Sequence, residues 1–170
     1  MINTQRPTKA TIVPARFDLI DHDGNHVTNE SYAGNYVLVF FGFTHCKMVC
    51  PRALAKLSDV LDSLGERAER ITALYVTVDP ERDTAGVMKA FLTQNYPRFT
   101  GLTGSLEAIE SAKKQFRVFA KKNPDPDDTE KYVVPHSAIT YVLGPDGEFV
   151  THFTDATEAS DMAHALAWLP

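Results

Sequence analysis

Two continuous apolar strands, each followed by a segment of helical period, and a late antiparallel hairpin closed by an amphipathic helix predict an α/β domain. The expected core is a central mixed sheet flanked by helices, with a short β-hairpin ahead of it. That order of elements is the order of a thioredoxin-like fold. The predicted boundaries are an N-terminal extension or linker over residues 1–16 and one domain over 17–170. A length of 170 residues, 44% of them apolar, suits a single domain with a sizeable core.

The hairpin is read from "ARFDLIDHDGNHVTNESYAG", two short strands joined at Asp23-Gly24, a strong turn dipeptide. The same stretch superficially resembles a calcium loop, but its glycine falls at position four from Asp21 instead of the sixth position that loop needs. "NYVLVFFGF" then reads as a strand buried on both faces. From Pro51 to about Glu69, Leu54, Leu57, Val60, Leu61 and Leu64 keep helical spacing. A second buried strand is expected over 71–79, helices over 84–96 and 105–122, and a hairpin over 136–144 and 148–153 around "PDG". A helix over 158–169 closes the chain. The polar, proline-bearing "KKNPDPDDTEK" at 121–131 predicts a mobile excursion. No internal repeat is present.

A net charge of −5 argues against nucleic acid or an anionic membrane surface as the main partner. The longest apolar run, at 36–43, is far shorter than the roughly 20 residues of a membrane-spanning helix. The first residues lack the apolar segment of a secretory signal. Such a start fits either a cytosolic chain or one numbered after a removed anchor.

Both cysteines of the chain, Cys46 and Cys50, stand in "FFGFTHCKMVCPRAL". A structural staple, a redox pair and a metal clasp are the three readings. A five-residue loop closed by a disulfide restrains the unfolded chain by only about 2 kcal/mol, and a domain of this size does not need it. The pair follows a buried strand and precedes a helix, so it belongs at the carboxyl end of the sheet, where open α/β sheets bind ligands. Pro51 reads as the first helical residue and Cys50 as its N-cap. A helix N-terminus favours a thiolate nearby, which metal binding and disulfide exchange both require.

Thioredoxin-type redox motifs place two residues between their cysteines; this chain places three. The wider bite leans toward a metal, with metal–sulfur bonds of about 2.3 Å for zinc as a guide. A disulfide needs Cβ atoms within about 4.5 Å, which a tightened loop also permits. Two thiolates suit zinc poorly, since it takes about four ligands. They suit Cu(I), with an imidazole as a further ligand.

Six histidines compete for that place. His22 and His26 flank the first turn and are expected to be exposed. His164 belongs to the last helix, as a surface or packing residue. His152 is expected opposite Phe149 and Phe153 in the last strand, and His45, next to Cys46, is expected to point away from it. His136, behind Pro135 at the junction of the polar loop and a strand, faces the cysteine loop in this topology. It is a ligand candidate, set against a packed or surface role.

"FFGFTHCKMVCP", "VTVDPERDT" and "YVVPHSAITYVLGPDGEF" together resemble the Sco/SenC family, copper-binding proteins of cytochrome c oxidase assembly. The resemblance runs from about Phe17 to the C-terminus. It implies Cys46, Cys50 and His136 as copper ligands, with Asp79 a supporting acid near the site. For Asp79 the residues also suggest an N-cap ahead of Pro80. Many relatives carry Pro-Asp where this chain has Lys47-Met48, and Asp where it has Pro135. Neither departure removes a ligand. Met48 reads as a flexible apolar contact, and Lys47 places a positive charge near the thiolates.

The function implied is a metallochaperone carrying copper, as Cu(I) with Cu(II) as a second state, to the dinuclear copper site of oxidase subunit two or to another copper protein. The enzyme alternative is a thiol–disulfide reductase in which Cys46 and Cys50 are the redox-active pair and keep the oxidase cysteines reduced. A redox or copper sensor is a third reading. Peroxidase chemistry is disfavoured, because the residues three before Cys46 and Cys50 are Phe43 and Lys47. A copper donor or thiol reductant protein would be a further partner. The family further implies a monomer tethered to a membrane by a segment outside this sequence, facing the periplasm or the mitochondrial intermembrane space.

Overall fold

The hairpin at Asp23-Gly24 forms as β1 (Asp18–Asp21) and β2 (His26–Thr28), with Gly24 at a φ of 87°. The Asp21 carboxylate holds the turn by accepting the backbone N–H groups of Asp23 and Asn25, both at 2.9 Å. The computed structural model describes residues 14–44, 49–118, 121–122, 132–133 and 139–169, with backbone alone at 49–50, 121–122 and 132–133. Most of the expected extension, residues 1–13, lies outside them.

β3 (Tyr36–Gly42) is buried at all seven positions, as its unbroken apolar run requires. α1 (Val49–Ser63) follows, and a 3-10 helix over Gly65–Arg70 takes up the rest of the predicted helix. The break comes at Gly65, whose φ of 58° a regular helix does not tolerate. β4 (Ile71–Thr77) and α2 (Ala85–Asn95) fall as expected. β5 (Phe99–Thr103) is an element that the sequence reading leaves out. At five residues with a central glycine, it shows neither alternation nor an apolar run.

α3 covers only Leu106–Phe116 of the predicted 105–122, because Arg117 turns into the left-handed region at φ 56° and ψ 43°. The base of the polar excursion pairs as β6 (Lys121–Lys122) and β7 (Tyr132–Val133). The intervening 123–131, expected to be mobile, lies outside the described residues. β8 (Thr140–Leu143), β9 (Phe149–Phe153) and α4 (Ala159–Ala167) complete the chain.

The main sheet has seven strands in the order β2-β1-β5-β4-β3-β8-β9. β3, β4 and β5 are parallel, while β1, β2, β8 and β9 run antiparallel to their neighbours. Alternation along β3 divides the core. Leu38 and Phe40 pack with Leu54, Leu57, Met88, Leu92, Met162 and Leu166 beneath α1, α2 and α4. Val37, Val39 and Phe41 pack with Phe17, Ile109, Ala112 and Phe116 on the α3 face. There Tyr141 donates its hydroxyl to the Phe116 carbonyl at 2.6 Å. No helix among the described residues is long and apolar enough to cross a membrane.

Candidate metal centre

One end of the sheet gathers the chain segments that matter. Because β3, β4 and β5 are parallel, Gly42, Thr77 and Thr103 finish at the same end. β8 runs the other way, with Thr140 opposite Phe40, so the chain enters it at that end too. The cysteine segment leaves β3 there, the 132–139 segment arrives there, and the turn after β4 lies between β3 and β5.

Phe43, 1% exposed, seats the chain beyond β3 in the core. Thr44 comes next, and its backbone N–H and hydroxyl both donate to the carboxylate of Asp83, at 2.9 and 2.5 Å. Thr77 adds its hydroxyl to the same carboxylate at 2.7 Å. The backbone of Asp83 is tied as well: its N–H reaches the Asp79 carbonyl at 2.9 Å and its carbonyl accepts the Thr103 hydroxyl at 2.8 Å. Asp83 is fully buried. Sequence reasoning quoted it within "VTVDPERDT" and gave it no role. The available signal was an acid enclosed by a strand end and a helix cap, which does not reveal three threonine partners.

Asp79 is the other fully buried acid at this end. Its Oδ2 pairs with Arg82 Nε, its N–H donates to the Thr77 hydroxyl at 3.0 Å, and its Oδ1 has no partner among the described residues. The N-cap expected at Asp79 does not form. Residues 80–82 make a turn, α2 starts at Ala85, and Thr84 caps it by accepting the Val87 N–H. Threonine at 84 competes better because its side chain meets the free N–H groups of the helix that follows it directly.

The start of α1 also differs from expectation. The helix begins at Val49, so Cys50 is not the N-cap and Pro51 is the third helical residue. Proline is tolerated there because the first four N–H groups of a helix have no intrahelical acceptor. The Arg52 guanidinium fastens this first turn to Asp155 at 2.5 Å.

Cys46 and His136 lie outside the described residues, together with His45, Lys47, Met48 and Pro135. For Cys50 the backbone alone is described, in the first turn of α1. Of the predicted site residues, Asp79 is placed with its side chain, at the end of the sheet from which the cysteine segment departs. Among the described residues no three of the His, Cys, Asp and Glu side chains form a metal-binding group.

The remaining histidines sit elsewhere. His26 is exposed and pairs with Asp18, and exposed His164 lies against Trp168 with ring centroids 6.2 Å apart. His22 is half-buried instead of exposed, its Nδ1 accepting the Gly101 N–H at 3.0 Å. His152 does not lie opposite Phe149, for the two rings stack at 6.3 Å and 24°. The cause is a register shift: Val142 faces Thr151 while Leu143 faces Phe149. The extra residue in β9 reverses the alternation of faces.

The SCO1/SenC family model matches residues 5–169. This chain belongs to the SCO1/SenC family. Among its relatives, the mitochondrial SCO2 homolog of Danio rerio is 36% identical over 160 residues, 93% of this chain and 57% of its own length. The chain thus spans little more than half of such relatives. The structure of Bradyrhizobium japonicum ScoI with copper bound superposes with a TM-score of 0.80 at 38% identity, covering 91% of this chain and 97% of that one. BsSco, a family member described by a disulfide switch, superposes with a TM-score of 0.72 at 27% identity, covering 98% and 95%. The fold is the family's thioredoxin-like fold, as the order of elements predicts.

Proposed function

We propose that this chain is a copper carrier of oxidase assembly, which holds Cu(I) through Cys46, Cys50 and His136 and passes it to the dinuclear copper site of cytochrome c oxidase subunit two. The observation that carries the reading is the copper-bound relative, alike over 91% of this chain, combined with a soft donor set of two thiolates and an imidazole suited to Cu(I). The reach of the chain supports it. Cys46 follows Gly42 by four positions and His136 precedes Thr140 by four. Four residues extend up to about 14 Å, and neighbouring strands are about 5 Å apart, so the two segments have the length to meet.

Transfer to another protein requires an open, low-coordinate site, which three ligands offer. Asp79, buried with one oxygen unpartnered among the described residues, is proposed as a supporting negative charge behind the site. Cu(II) at the same ligands, a monomeric carrier, a protein copper donor, and membrane tethering with the domain facing the periplasm or the intermembrane space all belong to this proposal.

The disulfide switch of BsSco favours a second reading, thiol–disulfide exchange. Here the Cys46 and Cys50 dithiol would give two electrons to a client disulfide and become a disulfide, to be restored by a thiol reductant protein. The two readings part at His136, because an imidazole binds copper but has no obligatory part in exchange. In cells carrying His136→Ala, the carrier reading expects oxidase lacking copper in its dinuclear site, with added copper restoring it. Normal oxidase assembly in those cells, beside failure with Cys50→Ser, would overturn the carrier reading and establish the reductase.

A further inference from the structure

Thr44 stands two residues before Cys46, and it is the last described residue before the cysteine segment. Its backbone N–H and its hydroxyl are both spent on Asp83, which also takes the Thr77 hydroxyl. Through its own backbone Asp83 is bonded to Asp79 and to Thr103. One buried residue thus joins the exit of β3 to the end of β4 through its carboxylate and to the end of β5 through its backbone carbonyl. We propose that Asp83 is a positioning residue that sets the base of the cysteine loop and so determines how readily Cys46 and Cys50 act as a pair.

The physical argument is preorganisation. Two thiols that close on each other, or on one metal ion, lose less freedom when the chain leading to the first is already held. Cys50 is held on its own side by the first turn of α1, which Arg52 ties to Asp155. The corresponding hold on the Cys46 side is the bond pair from Thr44 to Asp83. Hydrogen bonds to a charged acceptor are among the stronger ones in proteins, and this acceptor is shielded from water. Freeing Thr44 therefore lowers the effective concentration of one thiol near the other, weakening disulfide closure and chelation together.

A purely structural acid would show only in global stability, so the test reads the thiol pair itself. The protein is equilibrated with mixtures of reduced and oxidised glutathione, in which closing the disulfide reduces one oxidised glutathione to two thiols. The dithiol fraction is counted by alkylation. The inference rests on the reading of these cysteines as a working pair, but the measurement needs no copper. Failure of the copper reading would appear separately, as absence of Cu(I) binding in the unaltered protein.

Asp83→Ala should shift the equilibrium toward the dithiol by roughly tenfold, the scale of losing a hydrogen bond to a charged group. Thr44→Val, which removes the hydroxyl and keeps the N–H, should give a smaller shift in the same direction. Asp83→Asn keeps a carbonyl for the Thr44 N–H and an amide for its hydroxyl, and should restore most of the original value. Leu92→Ala, on the core face of α2, destabilises the fold without touching this base and should leave the equilibrium unchanged. An unchanged equilibrium in Thr44→Val and Asp83→Ala would overturn the proposal, as would a Leu92→Ala shift matching theirs. If Asp83→Ala does not fold, Thr44→Val decides alone. A loss in Asp83→Asn equal to that in Asp83→Ala would likewise overturn positioning, in favour of an effect of charge.

Discussion

Replacing Arg82 by methionine removes the guanidinium paired with a carboxylate that has no contact with solvent. The Asp79 side chain is 0% exposed and that of Arg82 26% exposed. Asp79 Oδ1 already lacks a partner among the described residues, so Oδ2 carries the compensation. Stranding one charge of a fully buried pair costs about 3–5 kcal/mol. Water already reaches part of Arg82, which discounts that figure to about 2 kcal/mol. For a domain of this size such a loss lowers the thermal midpoint by about 4–8 °C. Urea unfolding followed by far-UV circular dichroism measures it. Fluorescence of the single tryptophan is a poor probe, because Trp168 is 71% exposed in the folded state. The double variant Asp79→Asn with Arg82→Met removes the stranded charge and should recover most of the loss. The reasoning fails if Arg82→Met stays within about 0.5 kcal/mol of the unaltered protein at the same denaturant slope. It fails also if the double variant is no more stable than the single one.

Joining Cys46 to Cys50 in a disulfide should abolish Cu(I) binding, because the thiolate ligands vanish; equal copper stoichiometry in oxidised and reduced protein would contradict the ligand set. In the reduced protein, either cysteine changed to serine should lose the single bound Cu(I), read by metal analysis after competition with a chelator. Gly101→Ala should destabilise by about 1–3 kcal/mol, since a Cβ there would stand 2.9 Å from the Met88 Cβ and 3.1 Å from a Leu92 methyl. An unchanged urea midpoint would show that α2 yields freely. Burial pushes the Tyr141 hydroxyl up from 10.0 to about 12. Its contribution is therefore complete below pH 10 and lost as pH rises toward 12, where the unfolded chain ionises first. Tyr141→Phe should cost about 1 kcal/mol at pH 7 and flatten that alkaline decline; Tyr32, also raised to about 12, leaves a residual slope.

The sequence by itself determined the elements whose signals are contiguous. The unbroken apolar run of β3, the helical spacing through α1 and the Asp23-Gly24 and "PDG" turns are short-range patterns, legible because neighbours along the chain impose them. It also carried the cysteine pair, and with the motifs around His136 it carried the family. Tertiary structure alone decided what depends on convergence. β5 is a strand because β4 and β1 offer it partners on both sides, not because "FTGLT" demands extension. His152 joins Phe149 through a register shift that pairing with β8 imposes. Asp83 is enclosed because Thr44 beyond β3 and the threonines that end β4 and β5 meet it in space. Those threonines stand at 44, 77 and 103, and separations of that length leave no periodic trace. Only the packed sheet, which brings parallel strand ends to one side, turns them into neighbours of a single aspartate, Thr44 and Thr77 on its carboxylate and Thr103 on its backbone carbonyl.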